Sequence, residues 1–508
     1  MRPPHRNAIT ALLLVAVAAP LACTPRSRRT PDDTLVLAIE SAMTSSDPRF
    51  AISNWDGKLS KLIHPGLTAV DTPSQEPRLE LADKVTAVDP LTWEVELRAD
   101  ARFSDGAPVT AADVAYTYMS TLAPDSKSLF QRAFAERFSS VEPVSGRLVR
   151  FHLKEPLATF QTDIDYGIIS AAGKGAGAYV LRELTSTHAV LDTNPYYYGP
   201  PPKVPHLEVK FVRDASARLL MIVGGSADLI QNGVRLDLLD DVRERPRVHL
   251  DSGASVILTY LMMNNADPVM KDPRVRQAIA LAIDRPAIIA AKFGGRAKLA
   301  TGLLPPGHWA YADVVHWDRD LPRAKALLDA AGYPDPDGAG PKPRLHLIYK
   351  TSSDAFRVSV ARVIAAQLAE IGLDVEVRSF EFATFFADVK HGTYQLASMQ
   401  TSEITEPDYY FMYFNSSRIP STENPDGGNR WRYVNPEVDR LTAAGRHELD
   451  RDRRRALYAD VQRQVAQDVP IVPLWHEDNV VLSNVDLQGY TISPNARLGG
   501  LATAWKQP

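Results

Sequence analysis

Few residues of this 508-residue chain stand in a pattern that supports catalysis. Two histidines lie next to carboxylates, in His447-Glu448 and in His476-Glu477-Asp478, and imidazole and carboxylate groups are common metal ligands. A histidine beside a carboxylate is more often a surface or hydrogen-bonded residue, so we expect neither a metal nor another cofactor. The sequence has no G-x-S-x-G nucleophile elbow and no H-E-x-x-H zinc helix. These residues favour a protein that is not an enzyme, and a hydrolase with two carboxylates across a cleft stays open as an alternative.

The single cysteine, Cys23, stands at the end of an apolar segment that runs from Ala8 to Leu21. A cationic start, a short apolar run and small Ala22 are typical of a secretory signal with a processing site. The run is shorter than the roughly 20 residues that a membrane span needs. The segment resembles a bacterial lipoprotein signal, which implies a signal peptide at 1–22, lipidation of Cys23 and a tether at 23–33. A plain cleaved signal with an incidental cysteine is the alternative.

Charge and composition exclude several classes of partner and fold. The chain has 57 basic and 61 acidic residues for a net charge of −4, so no basic excess exists that could neutralise a run of phosphates. We therefore expect no nucleic-acid partner. An exported chain with one cysteine has no internal disulfide, and its stability must come from buried apolar area. The length predicts several lobes rather than one core.

Hydrophobic periodicity predicts alternating helices and strands. Apolar Thr34–Glu40 reads as a buried strand, and Trp93, Val95 and Leu97 alternate with polar residues as in a half-buried strand. The stretch from Ala355 to Ile371 has a helical apolar face and passes through Gly372 into an alternating strand. A helix, a glycine and a strand at this spacing make an α/β unit, so the fold class is α/β.

A further helix is predicted to begin at Asp272, because an aspartate followed by Pro273 suits an N-cap and a first turn. Val275, Ile279 and Ile283 recur every four residues, and Gly294-Gly295 ends the pattern. The sequence therefore predicts one continuous helix between Asp272 and Gly294.

Six segments together resemble the extracytoplasmic solute-binding proteins of the dipeptide, oligopeptide and nickel ABC-transport class, solute-binding protein family 5. They occur in the family's order over nearly the whole mature chain, which makes the resemblance far more specific than any one motif. The segments are FSDGAPVTAADVAYTY (Phe103 to Tyr118), GAGAYVLRE with NPYYYG (Gly175 to Gly199), DPRVRQAIALAIDR (Asp272 to Arg285), RAKALLDAAGY (Arg323 to Tyr333), AAQLAEIGLDVEV (Ala365 to Val377) and NPEVDRL (Asn435 to Leu441).

The resemblance implies a two-lobed periplasmic-binding-protein fold of type II. Its first lobe carries an extra subdomain, two crossover segments join the lobes, and hinge bending closes them over a ligand. The implied division is 34–55 with 165–260 and 480–508 for lobe I, 56–164 for the extra subdomain and 261–479 for lobe II.

The resemblance also implies an acidic residue that holds the N-terminal ammonium of a peptide. The corresponding segment here reads TSEITEPDYYFMYF, with Glu403 at the family's position and Glu406 and Asp408 close by. A buried ammonium needs a partner to offset its lost hydration, so a carboxylate is required if the ligand has a free amine. Exposure of all three carboxylates on a loop is the alternative.

Dipeptide-binding relatives place an arginine for the ligand carboxylate in the segment that here reads YKTSSDAF, and no arginine stands within it. This departure weakens the expectation of dipeptide binding and leaves Lys350, Arg357 or Arg432 as substitutes. Aromatic side chains suit apolar ligand groups or sugar rings. Three of them fall in loop regions where the family lines its cleft, namely Trp55, Tyr409 and Trp431.

These observations predict a monomeric, membrane-tethered binding protein that captures a peptide and delivers it to the permease subunits of an ABC importer. Within the same family, the ligand could instead be a nickel chelate, haem, an oligosaccharide or an opine. A sensing lipoprotein that contacts a signalling partner in its closed form is a further alternative.

Overall fold

The computed structural model describes residues 30–51, 53–234, 236–338, 340–401 and 403–507, with the side chains of residues 237 and 240 left out. The predicted signal peptide 1–22, Cys23 and most of the predicted tether lie outside the described residues.

The strands of the described residues are numbered here in chain order. They are Thr34–Ile39 (β1), Thr68–Ala69 (β2), Arg78–Leu79 (β3), Ala82–Asp89 (β4), Thr92–Leu97 (β5), Phe138–Pro143 (β6), Leu148–Leu153 (β7), Tyr179–Leu184 (β8), His188–Thr193 (β9), His206–Phe211 (β10), Leu229–Gln231 (β11), Val248–Gly253 (β12), Leu258–Met263 (β13), Ala297–Leu299 (β14), Leu345–Ser352 (β15), Leu373–Phe380 (β16), Leu396–Thr401 (β17), Ile471–Glu477 (β18), Asn479–Asn484 (β19), Leu487–Gln488 (β20) and Trp505–Lys506 (β21).

The α-helices are numbered in the same way. They are Asn54–Ile63 (α1), Ala111–Leu122 (α2), Gln131–Arg137 (α3), Phe160–Asp163 (α4), Ala215–Val223 (α5), Leu239–Arg243 (α6), Pro273–Ala282 (α7), Arg285–Phe293 (α8), Leu321–Ala330 (α9), Ala355–Ala369 (α10), Phe382–His391 (α11), Tyr409–Phe414 (α12), Pro436–His447 (α13) and Arg451–Asp468 (α14).

Lobe I is built on a seven-stranded sheet with the order β12-β19-β11-β1-β10-β9-β8. The central strand β1 pairs in parallel with β10 and β11, and both of its faces are buried. Leu35, Leu37 and Ile39 enter one hydrophobic cluster, whereas Val36 and Ala38 enter another on the opposite face. A run of apolar residues without alternation is what a strand covered on both faces requires.

Lobe II is built on a six-stranded sheet with the order β14-β18-β13-β17-β15-β16. Helix α10 packs on β15 and β16, and Gly372 makes the turn between helix and strand with a φ of 83°. A left-handed residue at this place is typical of a helix C-terminus, and glycine adopts it without a steric cost. The predicted α/β unit at residues 355–377 is therefore confirmed.

The extra subdomain contains a four-stranded antiparallel sheet with the order β4-β5-β7-β6. Trp93, Val95 and Leu97 of β5 are buried and alternate with half-buried residues, as the sequence predicts. Tyr118 of α2 packs against this face, with its ring 5.0 Å from that of Phe151 at an angle of 90°. Edge-to-face contacts of this kind fix the helix on the sheet.

The expectation of one continuous helix between Asp272 and Gly294 is wrong. Helix α7 ends at Ala282, Ile283 is extended with a ψ of 116°, and Asp284 caps a new helix by accepting from the backbone N–H of Ala287. The cause lies two residues on, where Pro286 has no backbone N–H and its ring would clash inside a helix. The two short helices change direction at this point.

The chain crosses between the two large sheets twice. Four residues, 254–257, separate β12 of lobe I from β13 of lobe II, and the single residue Asp478 separates β18 from β19. The Oγ of Ser255 donates to the carbonyl of Glu477, so the two crossovers lie side by side. The limits implied for the domains stay a prediction, and position 260 lies within β13 of the six-stranded sheet.

Candidate functional site

A cavity of about 1030 Å³ lies where the two lobes meet, and we call it the large cavity. Residues near β11 in lobe I form one wall, and the ends of α8, α10 and β17 in lobe II form the others. Its lining includes Val234, Leu236, Thr259, Lys292, Phe293, Asp354, Phe356, Arg357, Ser398, Gln400, Trp475 and Glu477. This volume falls within the range of small-molecule binding sites at lobe or domain boundaries.

Arg357 brings a positive charge to the large cavity. It lies in the first turn of α10, where the N-cap residue Asp354 accepts a hydrogen bond from its backbone N–H at 2.9 Å. Its half-buried guanidinium makes no hydrogen bond or ion pair with any residue that the structure describes. Arg357 lines the large cavity together with Thr259 of β13. Such an arginine is available to an anionic ligand group.

The other two basic candidates are bonded within the protein. The Nζ of Lys350 donates to Oδ2 of Asp388 at 2.7 Å and to the carbonyl of Thr393 at 2.5 Å. The Nη2 of Arg432 donates to the carbonyl of Lys390 at 3.0 Å. Both cations therefore stabilise the surroundings of α11.

Glu403 follows β17, the strand whose Ser398 and Gln400 line the large cavity. Its carboxylate is half-buried and makes no hydrogen bond or ion pair with the residues described by the structure. Burial lowers the pKa of Lys58 in lobe I, and the charge of Glu403 offsets part of this decrease. Burial also disfavours the Arg497 cation, but Asp165 and, more weakly, Glu403 raise its pKa overall. Glu403 therefore faces lobe I as an unbonded carboxylate.

Glu406 and Asp408 have internal partners instead. Glu406 is buried, forms an ion pair with Arg454 and accepts from the hydroxyl of Thr162 at 3.1 Å. Burial raises the pKa of Glu406 to about 7. Asp408 accepts from the hydroxyl of Tyr458 at 3.1 Å and lies close to Arg446. These two carboxylates bind parts of the protein to one another.

The three predicted aromatic residues occupy different environments. Trp55 is buried in the core of lobe I, with the Nζ of Lys58 5.1 Å from the centre of its ring. Trp431 is buried in the core of lobe II, with its ring centre 5.0 Å from that of Phe414. Tyr409 is half-buried, and burial is the main cause of its raised pKa, with the charge of Glu403 as a further cause.

The histidine and carboxylate pairs of the sequence are structural. The Nδ1 of His447 lies 2.6 Å from the carbonyl of Pro156, and the Nδ1 of His476 lies 3.2 Å from that of Ile257. Burial lowers the pKa of His476 to about 4. Within the described ranges, no three histidine, cysteine or acidic residues group in a way that would hold a metal ion.

Lys58 and Arg497 were missed by the sequence reasoning. Lys58 stands three residues after Trp55 on α1, and this spacing places the two side chains on the same side of a helix. That spacing was the only signal for Lys58. Arg497 lies in a loop, and nothing in its sequence context marks it.

The chain has a two-lobed α/β fold, and lobe II supplies most of the lining of the large cavity, with Val234 and Leu236 from lobe I. Residues 76–421, more than half of the chain, match the model of the middle part of the bacterial extracellular solute-binding proteins, family 5. The chain belongs to this family.

Curated relatives agree with this assignment, and a solved structure has the same fold. The chain is 26% identical over 457 residues to the probable di/tripeptide-binding protein 5 of Pseudomonas aeruginosa, covering 80% of this chain and 83% of that protein. It is 25% identical to the probable D,D-dipeptide-binding periplasmic protein DdpA of Escherichia coli, covering 91% and 92%. The crystal structure of NikZ from Campylobacter jejuni with Ni(L-His) superposes with a TM-score of 0.77 at 23% identity, covering 94% of this chain and 100% of that one.

Proposed function

We propose that this protein is the solute-binding component of an ABC importer and that it captures peptides between its two lobes. The observation that carries the proposal is a pair of opposite charges, Arg357 and Glu403, that have no hydrogen-bond or ion-pair partner among the described residues. Arg357 lines the large cavity, and Glu403 follows β17, which also lines it. A peptide has an ammonium at one end and a carboxylate at the other. The relatives named for di- and tripeptides support the same ligand class.

The energetics favour this assignment of roles. A carboxylate that accepts no hydrogen bond loses part of its hydration when the lobes surround it, and a ligand ammonium would restore a partner. An arginine presents two parallel N–H groups that match a carboxylate. In this proposal Glu403 holds the ammonium, and Arg357 holds the carboxylate.

Calorimetry with tripeptides of neutral side chains tests the role of Glu403. We expect Glu403→Gln to weaken binding by about 2 to 5 kcal/mol, mainly through a faster off-rate, because the ligand cation loses its partner. N-acetylation of the peptide deletes the other half of the same contact, so the two losses should not add. Glu423→Gln, an exposed change in the same lobe, is the matched control and should leave the affinity unchanged.

Two outcomes contradict the proposal. Tight binding of the acetylated peptide by the wild type would exclude an ammonium contact, and additive losses would place the action of Glu403 elsewhere. A peptide-library thermal-shift screen covers the ligand class itself, because a ligand at a hundredfold excess over Kd stabilises by about 2.7 kcal/mol. A shift with a sugar or a nickel chelate and none with peptides would favour the other ligands of the family.

The membrane anchor is part of the same proposal. Cys23 lies outside the described residues, and its place after a short apolar run supports lipidation. Among the described residues, no helix has the length and apolar character that a membrane crossing needs. Two or more acyl chains anchor a protein stably. We expect wild-type protein to partition into detergent and Cys23→Ser to stay in the aqueous phase, and equal partitioning would contradict lipidation.

The proposed protein acts as a monomer that presents its closed form to the permease subunits. It does no chemistry itself, since the importer supplies the work of transport.

A further inference from the structure

A second cavity, of about 180 Å³, lies in lobe I next to the extra subdomain, and we call it the side cavity. Four cationic side chains line it, namely Lys58, Lys61, Arg78 and Arg497. Asp71, Glu80, Tyr197 and Tyr198 line it as well. So many charges around one cavity raise the question of which of them are paired.

Three of the four cations have carboxylate partners. Arg78 binds Asp71 through two parallel hydrogen bonds of 2.7 Å each, from Nε to Oδ1 and from Nη2 to Oδ2. Asp165 binds Lys61 at 2.7 Å and also pairs with Arg497. The pKa of Asp165 is lowered although burial opposes this, because two cations hold its charge. These pairs fix the walls of the side cavity.

Lys58 is the exception. Its Nζ has no hydrogen-bond acceptor or ion-pair partner among the described residues, and its surroundings are the Trp55 ring and the cavity. Glu40 and Glu403 act on it only through their charges, against the larger effect of burial and the repulsion of Arg497. The hydroxyl of Tyr198 is also buried and has no hydrogen-bond partner among the described residues. Lys58 is thus the one cation lining the side cavity that no described acceptor binds.

The groups that line the side cavity or pair with its lining residues carry more positive than negative charge, before the charge of Glu403 in lobe II is counted. The four cations face three carboxylates, those of Asp71, Glu80 and Asp165. Glu80 lies 3.5 Å from the Nη2 of Arg78, and burial raises its pKa to about 7, so its negative charge is only partly present at neutral pH. An anion that enters this cavity would therefore find the unbonded Lys58 cation and a favourable charge.

We propose that the side cavity binds an anionic group that the ligand carries next to its ammonium, with Lys58 and Arg497 on the anion. This inference rests on the proposed function, in which Glu403 holds the ammonium. Lys58 and Arg497 both line the side cavity, and the charge of Glu403 acts on both of them. The ligand head is then zwitterionic, either from an acidic first residue or from a γ-linked glutamate, whose α-carboxylate lies beside its ammonium.

The anion subsite makes the protein prefer ligands that carry this anionic group over ligands that carry a neutral group in its place. A neutral group in the same place leaves the Lys58 cation desolvated and unpaired, and a site built for a polar partner discriminates strongly against a ligand that lacks it. A carboxylate and an amide of equal size therefore differ in affinity. We expect about a tenfold to hundredfold preference for the carboxylate.

The test is calorimetry with three tripeptides, Glu-Ala-Ala, γ-Glu-Ala-Ala and Gln-Ala-Ala. The wild type should bind at least one acidic peptide about tenfold or more tighter than Gln-Ala-Ala. The acidic peptide that binds better identifies the source of the anion. Lys58→Met should remove the preference, because it weakens the binding of the acidic peptide far more than that of Gln-Ala-Ala. Because Lys58 has no carboxylate partner, its removal leaves no buried charge unpaired. Lys325→Met, an exposed change on α9, is the matched control.

Equal affinities of the wild type for all three peptides would overturn the inference. Equal weakening of all three by Lys58→Met would do the same, because Lys58 would then act without regard to the anion. A failure of the proposed function would give a different result. If Glu403 does not hold an ammonium, an N-acetylated acidic peptide should bind as tightly as the free peptide. If no peptide binds, glutarate replaces it as the probe. Stabilisation of wild type but not of Lys58→Met by glutarate supports the subsite, and no stabilisation of either overturns it.

Discussion

Glu403 and Glu406 are three residues apart in one loop of lobe II, and the structure treats them in opposite ways. The carboxylate of Glu403 is half-buried, unbonded within the described residues and directed at the cations of lobe I. That of Glu406 is buried, paired with Arg454 and bonded to Thr162 of the extra subdomain. Identical side chains therefore serve two purposes, and the partners already present decide which carboxylate is available to a ligand.

The surroundings of Glu406 belong to a polar contact between the extra subdomain and lobe II. The backbone N–H of Ala158 donates to the carbonyl of Arg446 at 3.0 Å, and His447 bonds the carbonyl of Pro156. Arg446 and Arg454 bring positive charge to this contact from α13 and α14. Glu406 and Arg454 bind each other at this contact and so stabilise it. An unbonded charge such as that of Glu403 can instead gain binding energy from a ligand.

The largest effect that would test the comparison of Glu403 with Glu406 is a change in the free energy of unfolding. Arg454→Met leaves the Glu406 carboxylate buried without a cation, and we expect it to lower the free energy of unfolding by about 3 to 5 kcal/mol at pH 8. Burial already raises the pKa of Glu406 above its ordinary value, so its protonated form is favoured in the folded state. At pH 5 the carboxyl group is neutral in the folded variant, and the loss should be smaller. Urea unfolding at both pH values measures the difference.

Arg463→Met is the control for that measurement. Arg463 lies on the same helix, is exposed and pairs with Asp460, and exposed ion pairs contribute little. Its loss should change the unfolding free energy by less than about 1 kcal/mol. Equal losses from the two arginine variants, or an Arg454→Met loss that does not depend on pH, would contradict the assignment of Glu406 as a structural carboxylate.

A smaller effect concerns the arginine at the large cavity. Arg357→Met should weaken binding of a peptide with a free C-terminal carboxylate by about tenfold to a hundredfold, the value of a lost charge-assisted hydrogen bond. The amidated peptide should bind the variant and the wild type alike, and stability should not change, because no internal partner is lost. Calorimetry with both peptides measures this. An equal loss for the amidated peptide would mean that Arg357 does not contact the carboxylate.

The smallest effect is expected at Arg432. Its φ of 56° lies in the left-handed region, which costs a non-glycine residue about 1 to 2 kcal/mol. Arg432→Gly relieves this strain and loses one hydrogen bond to Lys390, worth about 1 kcal/mol, so the unfolding free energy should stay within about 1 kcal/mol of the wild type. Peptide affinity should remain within about twofold. A loss as large as that of Arg357→Met would show that Arg432 also meets the ligand.

The sequence predicts the architecture well because the signals are local. Alternation at residues 93–97 and a helix, glycine and strand at 355–377 follow from short-range periodicity, and both are confirmed. The break at Asp284 was missed because the apolar period continues through Ile283, while the decisive residue, Pro286, lies beyond it.

The candidate site is less predictable from the sequence. Whether a charged side chain is free to bind a ligand depends on partners from distant parts of the chain. Glu406 meets Thr162, 244 positions away, and no local pattern distinguishes it from Glu403. Lys58 becomes notable only because no described carboxylate forms an ion pair with it, whereas its neighbour Lys61 binds Asp165. The absence of a partner cannot be read from spacing.

The order of strands in lobe I has a consequence for how the chain can fold as it is synthesised. All six strands of the lobe II sheet come from one stretch, residues 258–477, so this sheet can be completed without the chain ends. The lobe I sheet contains β19, residues 479–484, between β11 and β12, which were made more than 220 residues earlier. Until β19 emerges, both of those strands have an unpaired edge. The sheet of lobe I therefore stays incomplete until nearly the whole chain is made. A chain truncated just before residue 479 should leave β11 and β12 each without the strand that pairs with them in the full protein.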